Sequence, residues 1–135
     1  MRIYHVVGAA HDHMVSWMRD GTPPPTAPRI ETVSPTPPTT IARDDLGLAK
    51  GGIRIADLAV PTALNTGSNS GPAFCLLFGT HVPFDDATLD ALYPRAGDYV
   101  GRVAQVVSGN LADGYITREA AQATRVDAAQ SGVGR

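Results

Sequence analysis

The chain begins with a short apolar segment. Residues 2–7 are rich in β-branched and aromatic side chains, a composition typical of a β-strand. The small residues 8–10 are expected to end this strand, and the segment from Asp12 to Arg19 has the composition of a short helix. His11 is therefore predicted to lie on a loop between a strand and a helix.

The middle of the chain is predicted to be irregular. Seven of the eleven prolines lie between Thr22 and Thr40, and proline fixes φ and removes a backbone donor. This segment is predicted to be an extended connector with at most one short edge strand at residues 29–33, and a ligand for an SH3-like domain is the functional alternative. Further along we expect turns at 44–47 and 50–52, extended pieces at 53–55 and 58–61, and a polar loop at 65–72.

Three helices are predicted for the last third of the chain, over residues 86–93, 98–112 and 117–129. Asp85 can cap the first, the second repeats apolar residues at helical spacing, and Thr117 can open the third. These patterns divide the chain into a strand, loop and helix (residues 1–21), a proline-rich connector (22–41), a region of loops and short strands (42–84) and a helical region (85–131).

Length and composition favour one domain or part of one, because 135 residues is an ordinary domain size and a 43% hydrophobic fraction can supply a core. The net charge is only −2 and Lys and Arg form no run, so nucleic acid and anionic membranes are not expected as partners. No stretch approaches the roughly 20 apolar residues of a membrane-spanning helix. Cys75 stands alone between Phe74 and Leu76, so we expect a buried, unreactive thiol.

Serine and histidine supply the candidate chemistry. Residues 67–71 read Gly-Ser-Asn-Ser-Gly, which places Asn69 where a nucleophile elbow needs its serine. Ser68 and Ser70 are therefore expected to form a polar turn rather than to act as nucleophiles.

The four histidines allow several interpretations. His11 and His13 could share a metal ion, but a third and fourth ligand at a recognisable spacing are missing, so no metal or other cofactor is predicted. His5 is expected to pack on one face of the first strand. His81 could border a pocket, and loop packing is the simpler interpretation.

Five segments, taken in their order along the chain, resemble the C-terminal region of a large bacterial family of alpha/beta hydrolase domain proteins. They are residues 2–11 (RIYHVVGAAH), 17–25 (WMRDGTPPP), 42–63 (ARDDLGLAKGGIRIADLAVPTA), 79–84 (GTHVPF) and 99–103 (YVGRV).

The resemblance implies an α/β fold class, as a C-terminal fragment of an α/β-hydrolase-like fold with the last strand, the histidine loop, the following helix and a family-specific tail. It also implies that His11 is the catalytic residue, which takes the proton of a serine hydroxyl and returns it to the leaving group during hydrolysis of an ester or similar acyl bond. Few residues separate His11 from the helix that carries Trp17, where such proteins have a longer insertion. Because this shorter spacing changes the register of the histidine loop relative to those proteins, His13 is the nearest alternative position for the catalytic histidine.

A nucleophile and an acid are missing ahead of His11, since residues 1–10 contain no Ser, Cys, Thr, Asp or Glu. We therefore expect the chain alone to be inactive, and to act on a small ester-like substrate only when an upstream catalytic part is present. An exposed N-terminal strand would favour self-association. The alternative function is a noncatalytic interaction module that binds a partner chain through the proline-rich segment and the helices.

Overall fold

The computed structural model describes residues 1–134, and it combines helices with two small antiparallel sheets, a mixture that fits the α/β class. In chain order the elements are α1 (Tyr4–Asp20), β1 (Thr32–Ser34), β2 (Thr40–Ile41), α2 (Ala56–Ala59), β3 (Ala63–Thr66), a 3₁₀ helix (Ala73–Leu77), β4 (Thr80–Pro83), α3 (Asp86–Leu92), α4 (Asp98–Ala112) and α5 (Arg118–Gln130).

The prediction of a strand at residues 2–7 is wrong, because α1 covers most of this segment and continues through His11. The expected break at residues 8–10 contains two alanines, the strongest helix formers, and the single Gly8 costs a helix only about 1 kcal/mol. His5 and Ala9, one helical turn apart, are buried. Tertiary contact on one side of the helix has therefore outweighed the β-branched composition of the segment.

The loop expected at His11 is wrong for the same reason, since His11 lies in the middle of α1. The helix ends where Gly21 adopts a left-handed conformation (φ +73°) and donates its backbone N–H to the Trp17 carbonyl over 3.0 Å. Residues 2–7 form no strand, so the self-association expected through an exposed N-terminal strand loses its structural basis.

The middle of the chain is more regular than predicted. β1 overlaps the expected edge strand and pairs with β2, which was not predicted. Residues 58–60 lie in and just after α2 rather than in an extended piece. β3 and β4 form an antiparallel pair, so Asn65 and Thr66 belong to a strand and not to the predicted polar loop. Cys75 is exposed on the 3₁₀ helix, and the prediction of a buried thiol is wrong.

The three C-terminal helices are confirmed. α3 begins at an Asp85 cap, whose carboxylate accepts the Thr88 backbone N–H over 2.9 Å. α5 begins at Thr117, whose hydroxyl oxygen accepts the Ala120 backbone N–H over 3.2 Å. In both cases the cap satisfies a donor that the first turn of a helix leaves without an intrahelical partner.

The core lies between α4 and α5. α4 contributes a buried stripe at Tyr99, Val103 and Val107, one helical turn apart. The facing positions of α5 are small, which lets the two helices approach closely. The buried residues of α5 are Ala120, Ala121, Thr124 and Ala128. Residues from the middle of the chain and from the loops complete the core, among them Ile55, Ala56, Val60, Tyr93 and Ile116.

Two apolar surfaces lie outside this core. The first, which we name the α1 face, runs along one side of α1 at the spacing of a helical stripe. It consists of Tyr4, Val7, Met14, Val15 and Met18, which are exposed by 47 to 75%. The second, the 3₁₀ patch, consists of Phe74, Leu76, Leu77 and Phe78, which are exposed by 64 to 75%. Among residues 1–134, no helix is long and apolar enough to cross a bilayer.

Candidate functional site

His11 lies at the centre of the α1 face, four residues after Val7 and three before Met14. Its side chain is exposed, and it has no hydrogen-bond partner among residues 1–134. A general base is held by an orienting partner, and the described part of the chain provides none for His11. The structure leaves the proposed catalytic role of His11 as a prediction.

His13 connects α1 to the loop between α4 and α5. Its Nε2 donates to the Gly114 carbonyl over 2.7 Å, since a carbonyl can only accept. At the same loop the Tyr115 hydroxyl donates to the Thr26 carbonyl over 3.0 Å, which holds the proline-rich connector beside α1. His13 therefore serves as a tether, with Nε2 already engaged.

His5 is buried against α5. The Thr124 hydroxyl donates its proton to the Ala120 carbonyl over 2.8 Å, so its oxygen accepts from Nδ1 of His5, 3.4 Å away. Burial, followed by the nearby Arg2 guanidinium, lowers the pKa of His5, which favours the neutral ring. The expectation that His5 packs inside is confirmed, on a helix instead of a strand.

Arg2 joins the N-terminus to two other helices. It contacts Asp57 twice, through Nη2 to Oδ1 over 2.8 Å and through its backbone N–H to Oδ2 over 2.6 Å. Its Nη1 reaches Oδ2 of Asp127 over 2.7 Å. Burial works against ionisation of Asp57, but these hydrogen bonds and the positive charge prevail and hold the pKa of Asp57 below its ordinary value. This cluster positions α1.

His81 is oriented by the side-chain amide of Asn65. It lies on β4 directly opposite Asn65 on β3, and its Nδ1 is 2.8 Å from the Asn65 amide oxygen. The Asn65 amide nitrogen faces the carbonyls of Asp57 and Ala63 at 3.3 and 3.4 Å, and this fixes which end of the amide faces His81. An amide oxygen can only accept, so in the neutral ring the proton lies on Nδ1 and Nε2 of His81 keeps its lone pair.

Nε2 of His81 has no hydrogen-bond partner within residues 1–134, and the ring lines an open cleft of about 520 Å³. The lining combines the ends of β3 and β4 with three apolar side chains from elsewhere in the chain. The residues are Met1, Ile3, Asn65, Thr66, Gly67, Leu77, Gly79, Thr80 and His81; none has a charged side chain, and Met1 carries the N-terminal amino group. A side chain at Gly79 would collide with the Thr66 carbonyl, so glycine is required for this close approach of the strands.

The serines near this cleft are held in a polar turn. The Ser68 backbone N–H donates to the Thr66 hydroxyl oxygen over 2.9 Å, and the Thr80 hydroxyl donates to the Ser68 carbonyl over 2.7 Å. The Ser70 backbone N–H donates to the Asn69 amide oxygen over 2.8 Å. Neither serine hydroxyl is hydrogen-bonded to a histidine in the described range, and no cluster of three metal-ligating side chains occurs there.

Sequence reasoning missed the pairing of Asn65 with His81. The sequence carries little signal for it, because residues 63–66 (ALNT) and 80–83 (THVP) do not alternate apolar and polar side chains and residues 67–79 separate them. Placing Asn65 in a loop concealed it.

Comparison with known proteins adds one finding. Residues 1–126 match the sequence profile of a family described as "Alpha/beta hydrolase domain". No curated protein and no solved structure matches the chain significantly.

Proposed function

The chain belongs to the alpha/beta hydrolase domain family, and from this premise we propose that it acts as the C-terminal part of a serine hydrolase that cleaves ester or similar acyl bonds. The nucleophilic serine and the acid come from residues outside this chain. In support, no serine hydroxyl within residues 1–134 lies in hydrogen-bond contact with a histidine.

The observation that carries this proposal is the exposed α1 face with His11 at its centre. Contiguous apolar surfaces on a monomer mark places where another surface binds. When the catalytic part of the hydrolase covers the α1 face, it surrounds His11 and can bring a serine and a carboxylate to its ring. His11 then takes the serine proton and passes it to the leaving group.

A fluorophosphonate probe, which labels activated serines, tests the proposal. The chain alone should not be labelled stoichiometrically. The same chain produced together with an upstream segment that carries a Gly-x-Ser-x-Gly elbow should be labelled, and His11→Ala should abolish that labelling. Asp12→Asn, a change at the adjacent exposed position of α1, is the matched control and should leave labelling intact.

The other outcomes are equally informative. Labelling lost in His13→Ala but kept in His11→Ala would move the base to His13. Labelling of the isolated chain at Ser68 or Ser70 would show that the nucleophile lies within it, and the proposed division of the site would be wrong.

A noncatalytic interaction module is the second candidate function. The 3₁₀ patch favours it, because Phe74 and Leu77 are exposed by 73 and 75% on a segment that carries no proposed catalytic residue. If the chain binds a partner protein through this patch and the combined sample with an upstream elbow segment shows no probe labelling, the module is the better account.

A further inference from the structure

The His81–Asn65 pair has a feature that the proposed hydrolysis does not use. A buried amide fixes the ring so that Nδ1 is the donor, and Nε2 is left as an acceptor on a residue that lines an open cleft. Asn65 is 9% exposed and is itself fixed by the two carbonyls behind it. The orientation of the ring is therefore set before any ligand arrives.

The walls of the cleft define what can bind there. Ile3 and Leu77 supply apolar surface, exposed by 59 and 75%, and the lining contains no charged side chain. A cation would lose hydration without gaining an opposite charge from this lining, and a simple anion has no proton to donate to Nε2 of His81. The volume of about 520 Å³ falls within the range of small-molecule sites.

We infer that this cleft binds a small neutral alcohol, whose hydroxyl donates a hydrogen bond to Nε2 of His81 while its alkyl chain lies against Ile3 and Leu77. The hydroxyl matches the one acceptor that the pair presents, and the alkyl chain matches the apolar walls. The inference does not depend on the proposed hydrolysis or on His11.

The first test concerns the ring itself. Nitrogen NMR of the free chain at about pH 8.5, two units above the ordinary imidazole pKa, should show His81 as the tautomer with the proton on Nδ1. In Asn65→Ala this preference should be lost, because the acceptor for that proton has been removed. A proton on Nε2 of His81 in the unmodified chain would overturn the inference.

The second test measures binding of 1-hexanol by NMR titration. Shift changes should concentrate on the His81 ring and on the methyl groups of Ile3 and Leu77, with a Kd of about 1 mM or weaker for a ligand of this size. Hexyl methyl ether has a similar chain without a donor, and it should bind about fivefold more weakly, as expected for one lost hydrogen bond. Equal binding of the two ligands, or no binding of hexanol up to its solubility limit, would overturn the inference.

A matched pair of variants completes the design. His81→Phe keeps a ring at the same exposed position but removes the acceptor, so hexanol should bind about fivefold more weakly and no better than the ether. Val82→Phe places the same ring on the opposite face of the same strand and should leave hexanol binding unchanged. Unchanged binding in His81→Phe would show that the ring is not the acceptor.

Discussion

Helices α1 and α4 are similar in length, with 17 and 15 residues, and both have an apolar side. Only the apolar side of α4 is covered by other parts of the chain. Val103 and Val107 of α4 are each 1% exposed against α5, whereas Val15 and Met18 of α1 are 53 and 75% exposed. An apolar stripe shows that a helix can bury a face, and the availability of a facing surface decides whether it does so.

The contacts that hold the two helices differ in kind as well. α4 packs against small side chains of α5, so its position is set by close apolar contact. α1 buries only His5 and Ala9, and polar contacts attach it just before its first residue and near its middle, through Arg2 to Asp57 and Asp127 and through His13 to the Gly114 carbonyl. The C-terminal helices therefore form the stable centre of the chain, with α1 attached to it.

The largest expected effect comes from removing the same two methyl groups from each helix. Val103→Ala should lower the free energy of unfolding by about 2–3 kcal/mol, because it removes buried apolar surface and leaves a cavity. Val15→Ala on α1 is the matched control and should change it by less than about 0.5 kcal/mol. Urea denaturation followed by circular dichroism measures both. A similar loss in the two variants would show that the α1 face is covered in solution, and the contrast between the helices would disappear.

The same contrast explains which elements the sequence predicts well. Helices α3 to α5 follow from local signals, since the caps at Asp85 and Thr117 and the periodic stripe of α4 lie within the segments they define. The segment at residues 2–7 carries no cap, and a short run of apolar residues fits a strand or a helix equally well. Its state depends on contacts with α5 that lie more than 100 positions away, such as buried His5 with Thr124.

Breaking the polar attachment of α1 should have the next largest effect. Asp57→Asn leaves the Arg2 guanidinium without its main partner and should cost about 1–2 kcal/mol of stability. Asp127→Asn is the control, because that carboxylate is 60% exposed and its ion pair should contribute less than about 0.5 kcal/mol. Thermal denaturation should show a larger loss of stability in Asp57→Asn than in Asp127→Asn. Equal losses would mean that the contact of Arg2 with Asp57 is no stronger than its contact with Asp127.

The Asp57 contact also has a defined pH dependence. Its pKa is lower in the folded chain than in the unfolded chain, so its stabilisation is present above the ordinary aspartate pKa of about 4 and is lost as the pH falls through the lower, folded value. Asp57→Asn should therefore flatten the stability profile below about pH 4. A profile that stays as steep in the variant would place the acid sensitivity elsewhere.

His5 should produce a smaller effect at higher pH. Its folded pKa is lowered by burial and by Arg2, against the opposing charges of Asp57 and Asp127, so the unfolded chain takes up the proton first. Stability should therefore fall as the pH drops below about 6.5, the ordinary imidazole pKa. His5→Phe keeps a ring in place and should remove this component, as measured by urea denaturation at several pH values. An unchanged slope in the variant would exclude His5 as its source.

The site was harder to predict than the fold, for a physical reason. The His81 ring is oriented by Asn65, which lies opposite it across the β3–β4 pair. That contact depends on the register of the two strands, which neither segment determines alone. Cys75 shows the same limit, because its apolar neighbours indicate burial only if the fold brings another surface to cover them. Composition identifies apolar residues that would gain from burial, but it does not show which surface, if any, buries them.

The smallest effect on stability should come from the α1 face itself, although its effect on association should be easy to see. Met14 and Met18 are 52 and 75% exposed, so replacing both with Gln should change the free energy of unfolding by less than about 0.5 kcal/mol. If the uncovered face promotes contact between chains, sedimentation velocity of the unmodified chain should show association that increases with concentration, and the double variant should remain monomeric. The paired change Phe74→Ser and Leu77→Ser tests the 3₁₀ patch in the same way. Loss of association only in that second variant would show that chains associate through the 3₁₀ patch. The α1 face would then remain exposed to solvent without mediating association.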